Sequence, residues 1–345
     1  MLIEDLLNEC VEKGASDIHI KEGERIILRI NGELVPSTMT ELPNKIAMFD
    51  FLYNFLYGKK ERVSAFKNNM ELDFGYVHTD NTSYRGNAYM YMGRIGIAIR
   101  RIPEEIQNLL ELGLPKSIGK VLQAKQGLFL VTGPTGSGKS TTMASMLNAI
   151  NEVRSEHIIT IEDPVEYIFK NKKSIISQRE IGRDTLTFAQ AIRAAMREDA
   201  DIIMIGEIRD PETMEIAMNL AETGHLVFST LHTSGSVQTI SRMIQFFPTE
   251  IEAQIRTRIA DSLIGVLSQR LIPRSDTTGR IAIREVMFAN GAIRNLINKG
   301  DLMQIPNAIE TGTEDGMITM KHYAALLREK GIVEEKSYRG YFINE

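Results

Sequence analysis

The run Gly133-Pro134-Thr135-Gly136-Ser137-Gly138-Lys139-Ser140-Thr141 has the residue types and spacing of a phosphate-binding loop. Its glycines let the backbone curl so that N–H groups face phosphate oxygens, and a helix N-terminus would add positive potential there. Lys139 is placed to reach the β- and γ-phosphates of a nucleotide, and the Ser140 hydroxyl offers Mg²⁺ the oxygen ligand that ion prefers. Two acidic stretches complement the loop. Glu162-Asp163-Pro164-Val165-Glu166 follows the apolar run Ile158–Ile161, and Gly206-Glu207-Ile208-Arg209-Asp210 follows Ile202–Ile205, an apolar strand ending in an acid as at a Walker B site. One carboxylate can hold Mg²⁺ directly or through water, and another can orient or deprotonate the attacking water; the sequence leaves open which acid does which. Helix capping by Asp163 and solvated loop acids are the plainer alternative.

Two histidines bracket the run 226–231. His232 is expected at its carboxyl end, where it could sense a γ-phosphate, and His225 at the opposite end, where it could serve a subunit or domain contact; a structural role is equally open to each. Phosphoryl transfer also gains from a guanidinium that neutralises charge in the transition state. Arg85, Arg100 and Arg101 lie outside the nucleotide-binding part of the chain, where an arginine could reach a nucleotide held by a neighbouring subunit or simply edge a solvated strand.

Such groups need strands that end at a common edge. Strand-like runs at 128–132, 158–162, 202–205, 226–231 and 281–288 alternate with helical stretches, which predicts a mainly parallel sheet covered by helices on both faces. Open parallel sheets bind ligands at the carboxyl ends of their strands, where the loop and both acidic segments fall. The first hundred residues read differently. A helix over 2–13, strands at 15–20 and 24–30, an Asn31-Gly32 hairpin turn, an aromatic helix over 49–56 and strands at 72–77, 84–91 and 96–102 predict a small α+β domain. The expected division is residues 1–102, a linker over 103–116 with a short helix at 104–112, and 117–345, helical from about 291 onward.

Composition excludes several classes. With 345 residues the chain is long enough for about two domains. Its 43% hydrophobic and 25% charged residues fit neither disorder nor a membrane protein, and no apolar run approaches the roughly 18 residues of a spanning helix. The N-terminus lacks the basic start of a signal peptide and Cys10 is the single cysteine, so a reduced, cytoplasmic compartment is expected. A net charge of −5 argues against a nucleic-acid motor, and the short Lys170, Lys172 and Lys173 cluster reads as a solvated loop. Asp17 and His19 lack a neighbouring third ligand and read as strand-edge residues.

Taken together, Ala15-Ser16-Asp17-Ile18-His19, the phosphate loop, Ile161–Glu166, the Walker B segment and the two-histidine stretch resemble, in type and order, the secretion ATPases of type IV pili and type II secretion. Ala292-Ile293-Arg294-Asn295-Leu296-Ile297 is similar to the C-terminal signature of their retraction-type members, and the absence of a tetracysteine zinc motif and of an extra N-terminal domain points away from extension-type members. The resemblance implies a PAS-like domain before a RecA-like P-loop NTPase domain, a homohexameric ring, ATP and Mg²⁺ as cofactors, and an inner-membrane platform protein as partner, with neither membrane insertion nor nucleic-acid binding. It further implies that Lys139 and Ser140 hold phosphate and Mg²⁺, that Glu207 is the Walker B acid and Glu166 the general base, that His225 and His232 are the family histidines, and that Arg85 and Arg100 act across the interface. A second arginine, Arg101, precedes Ile102-Pro103 where the family usually has one, so either could be the one that reaches phosphate. Pilus extension, type II secretion, a RecA-like nucleic-acid motor and a non-catalytic scaffold are the alternatives.

Overall fold

The computed structural model describes residues 3–39, 42–79, 82–102, 105–277 and 279–336, so the Pro103 end of the expected linker lies outside them. The chain forms two compact units. One comprises Met1–Glu105 together with Glu162–Ile168 and Glu180–Asp184; the other comprises Ile106–Ile161, Phe169–Arg179 and Thr185–Glu345.

The first unit contains α1 (Ile3–Glu12), β1 (Asp17–Lys21), β2 (Ile27–Ile30), β3 (Glu33–Pro36), α2 (Lys45–Phe55), α3 (Lys60–Asn69), β4 (Glu71–Val77), β5 (Ser83–Tyr91) and β6 (Arg94–Ile102). Its six strands pair antiparallel in the order β3-β2-β1-β6-β5-β4. The predicted hairpin is present: Asn31 and Gly32 both take positive φ (51° and 90°), as a tight turn between β2 and β3 requires. One sheet face is apolar. Ile18, Ile20, Leu28, Phe74, Ala88, Ile95, Ile97 and Ile99 pack there with Leu6, Leu7 and Cys10 of α1 and Met48, Phe51, Leu52 and Phe55 of α2. Helix α3 was not expected, because Lys60–Asn69 is almost wholly polar and buries only Phe66. Packing of that single ring, with Met70 turning into the left-handed region at φ 63° to close the helix, replaces the apolar stripe that periodicity looks for.

The second unit carries α4 (Gly119–Gln123), β7 (Gly127–Thr132), α5 (Lys139–Val153), β8 (His157–Glu162), β9 (Ile175–Glu180), α6 (Phe188–Ala195), β10 (Ile202–Ile205), α7 (Pro211–Glu222), β11 (Leu226–Leu231), α8 (Ser236–Gln245), α9 (Glu252–Ser262), β12 (Leu263–Pro273), β13 (Arg280–Phe288), α10 (Gly291–Lys299), α11 (Ile305–Thr311) and α12 (Met320–Glu329). The sheet order is β13-β12-β7-β11-β10-β8-β9. Strands β12, β7, β11, β10 and β8 pair in parallel and β13 closes the edge antiparallel. The predicted α/β class and the C-terminal helices are as expected. No helix among the described residues is long and apolar enough to cross a membrane.

Two expectations change. Strand β12, between β7 and β13, is not predicted by the sequence: its apolar start is broken by Ser268-Gln269-Arg270, of which Ser268 and Gln269 are buried rather than solvated. The short helix expected over 104–112 is absent among the described residues. There Asn108 Oδ1 accepts the N–H groups of Leu110 and Glu111 at 3.0 and 2.9 Å, so the side chain supplies an Asx turn in place of helical bonding. Beyond it the segment is anchored: the Gly113 carbonyl accepts Tyr323 Oη at 2.6 Å and Arg284 Nη1 at 3.2 Å.

Candidate functional site

The loop after β7 has the shape its residues predict. Gly133, Gly136 and Gly138 take φ of 147°, 75° and 84°, a region where a Cβ is strained. At Gly133 a Cβ would also lie 2.2 Å from the Gln269 carbonyl oxygen, so the loop fits against β12 only as glycine. Helix α5 starts at Lys139, whose ammonium donates to the carbonyls of Gly133 (2.9 Å) and Pro134 (3.0 Å) and is largely buried. Ser140 and Thr141 follow in the first turn of α5. The buried Ser137 hydroxyl has no hydrogen-bond partner among the described residues.

A residue that sequence reasoning missed braces the loop. Gln269 is buried on β12; its Nε2 donates to the Ser137 carbonyl at 2.7 Å and its Oε1 accepts the Thr142 hydroxyl at 2.9 Å. Its only sequence signal is a polar residue interrupting an apolar strand.

Because β7, β11 and β10 are parallel neighbours, their carboxyl ends share one edge of the sheet, which carries the phosphate loop, His232 and Glu207. Ser229 Oγ donates to the Ile205 carbonyl (2.8 Å) and Thr230 Oγ1 to the Gly206 carbonyl (2.6 Å), tying β11 to the backbone that carries Glu207. The Glu207 carboxylate lies 3.3 Å from His232 Nε2, and its other oxygen pairs with Arg209. Asp210, the last acid of this stretch, caps α7 by accepting the Thr213 N–H at 2.8 Å. His225 is not brought to this group. It sits at the amino end of β11, where its Nδ1 is 3.2 Å from the Leu220 carbonyl at the end of α7, roughly 23 Å along the strand from His232 at about 3.3 Å per residue.

A second group forms in the first unit. Arg85 Nη1 donates to Glu166 Oε1 at 2.9 Å. The Glu166 N–H donates to Glu162 Oε2 at 3.3 Å, folding the acidic turn on itself. Across β5 and β6, Arg85 faces Arg100 while Arg101 faces the buried Tyr84, so register puts Arg85 and Arg100 on one face and Arg101 on the core side. Arg100 Nε donates to Asp17 Oδ1 at 2.8 Å, and Arg29 Nε lies 3.8 Å from Asp17 Oδ2. Burial raises the Asp17 carboxyl, but the hydrogen bonds from Arg100 and Ser16 outweigh it and its pKa falls below the ordinary value. Asp17 is thus an arginine partner, and no cluster of His, Cys, Asp and Glu among the described residues could hold a metal by itself.

The family model for type II/IV secretion system proteins matches residues 1–325. The type IV pilus retraction ATPase PilT of Pseudomonas aeruginosa is 40% identical over 339 residues, 98% of this chain and 97% of that protein. A twitching motility protein of Neisseria gonorrhoeae is 42% identical over 274 residues, covering 79% of this chain and 73% of its own length. The crystal structure of the pilus retraction motor PilT with bound ADP superposes with a TM-score of 0.89 at 40% identity, covering 99% of this chain and 96% of that one. Sequence and fold agree over nearly the whole length, and the chain belongs to the type II/IV secretion system protein family.

Proposed function

We infer that this protein is an ATP-hydrolysing motor that powers type IV pilus retraction. The observation that carries the reading is full-length likeness, in sequence and in fold, to a retraction ATPase solved with ADP, combined with an intact phosphate loop at the same sheet edge as Glu207 and His232.

The residues fit a Mg²⁺-nucleotide. Glycines without Cβ atoms leave the loop amides accessible, the orphaned Ser137 hydroxyl is available, and Ser140 and Glu207 offer the oxygen donors that Mg²⁺ takes. When bound, Mg²⁺ neutralises phosphate charge. In this reading Gly133 to Gly138 cradle phosphates with Thr141 at the start of α5, and Lys139 leaves its two loop carbonyls for phosphate oxygens. Glu166 takes the proton of the attacking water once Arg85 releases it. Arg85 and Arg100 compensate transition-state charge, and His232, held by Glu207, reports the γ-phosphate. His225, far from that edge, serves a subunit or domain contact. A ring of six chains in the cytoplasm, acting on a platform protein at the inner membrane, couples the cycle to pilin disassembly through rotation of the first unit about the segment 103–116.

Lys139→Ala is expected to abolish ATP hydrolysis by purified protein, and cells lacking the protein to be piliated yet unable to retract. Bald cells would identify an extension motor instead.

A further inference from the structure

Glu180, at the end of β9, enters none of the roles above, although its carboxyl is almost wholly buried, with 1% exposure. Its Oε1 accepts the Gly75 N–H and its Oε2 the Val165 N–H, each at 3.3 Å. Gly75 is the cross-strand partner of Arg85, and Val165 is the residue before Glu166. One carboxylate therefore grips the backbone behind both members of the Arg85–Glu166 pair. We propose that Glu180 is a positioning residue that sets where the Glu166 carboxylate stands relative to Arg85.

Three further observations support a built clamp. A Cβ at Gly75 would lie 2.1 Å from Glu180 Oε2, so the glycine makes room for this carboxylate. Arg62 Nη1 stands 3.8 Å from Oε1 while its Nη2 donates to the Asp73 carbonyl at 3.1 Å, adding charge compensation from α3. Glu180's own backbone is fixed by Asp184, whose carboxylate accepts its N–H at 2.9 Å and whose N–H donates to its carbonyl at 2.8 Å. Burial raises the Glu180 pKa, while the Val165 and Gly75 amides and Arg62 oppose it. A buried carboxyl that uses both oxygens on amides cannot be replaced by glutamine without turning an acceptor into a donor.

The inference rests on Glu166 acting as the base, and the test separates the two. ATP hydrolysis by the full-length protein is measured for Glu180→Gln, Glu166→Gln and the double variant. Glu180→Gln is expected to lower kcat about tenfold or more with KM for ATP within about twofold, and the double variant to be no slower than Glu166→Gln by more than about twofold, because the clamp acts only through that carboxylate. Full kcat in Glu180→Gln beside a disabled Glu166→Gln overturns the inference alone, as does an additive loss in the double variant or a raised KM at unchanged kcat. Full kcat in Glu166→Gln overturns the base reading and the inference with it. If Glu180→Gln does not fold, Gly75→Ala, which pushes a methyl group into the same carboxylate, is read by the same criteria.

Discussion

Glu9 shows how a single side chain ties sequence-distant parts of the small unit together. Its carboxylate, on α1, accepts Lys13 Nζ (2.6 Å), the Ser37 hydroxyl (2.5 Å) and the Thr38 N–H (2.8 Å) just after β3. Burial raises its pKa, but these bonds outweigh burial and hold it at about 2 against an ordinary 4.5. A depressed carboxyl contributes stability that is fully present above 4.5 and is lost as pH falls towards 2. Thermal or urea unfolding between pH 5 and pH 2.5 should therefore show a loss on the order of 2 kcal/mol that Glu9→Gln removes from the slope. An unchanged slope in that variant would contradict it. Gln269 makes a related point at the phosphate loop: two ordinary amide hydrogen bonds, to Ser137 and Thr142, hold the loop from a strand more than a hundred residues away.

At the scale of elements, strand register separates residues that the sequence presents side by side. Arg100 and Arg101 are equivalent candidates in the sequence; in β6 they alternate faces, Arg100 beside Arg85 and Arg101 behind the sheet opposite Tyr84. Arg100→Ala is expected to lower kcat about tenfold or more and also to lower the melting temperature modestly, because Asp17 loses the partner that holds its carboxylate. Arg101→Ala should leave kcat near wild type, and steady-state kinetics decides between them. The C-terminal signature is likewise explained by its element. In α10, Ile293 and Ile297 are buried and Arg294 Nε donates to the Ala289 carbonyl at 2.7 Å, with Nη1 on the Ala260 carbonyl at 2.5 Å in the last turn of α9. That guanidinium neutralises the carbonyl end of α9, so this part of the signature is a brace between helices.

For the whole molecule, the proposed ring asks whether an arginine of one chain serves a nucleotide held by the next. Rings mixed from Arg85→Ala and Lys139→Ala chains answer this. Each variant alone is expected to be nearly inactive, and mixing should restore a measurable part of the ATPase rate if the two residues belong to sites shared between chains. No recovery, with mixed assembly verified by differential tagging, would place both residues in the service of one chain's nucleotide.

Much of this was legible in the chain. The phosphate loop, the apolar strands with acids after them and the Asn31-Gly32 turn each carry their signal within a few consecutive residues, because they depend on local backbone freedom and on alternation with period two. What the tertiary structure alone decided depends on pairing between distant segments. The place of β12 beside β7, the brace from Gln269, the facing of Arg85 with Arg100 and the grip of Glu180 on Gly75 and Val165 follow from strand order and register. A buried polar side chain is stabilised only by partners that long-range packing brings to it, and one-dimensional periodicity carries no record of those partners.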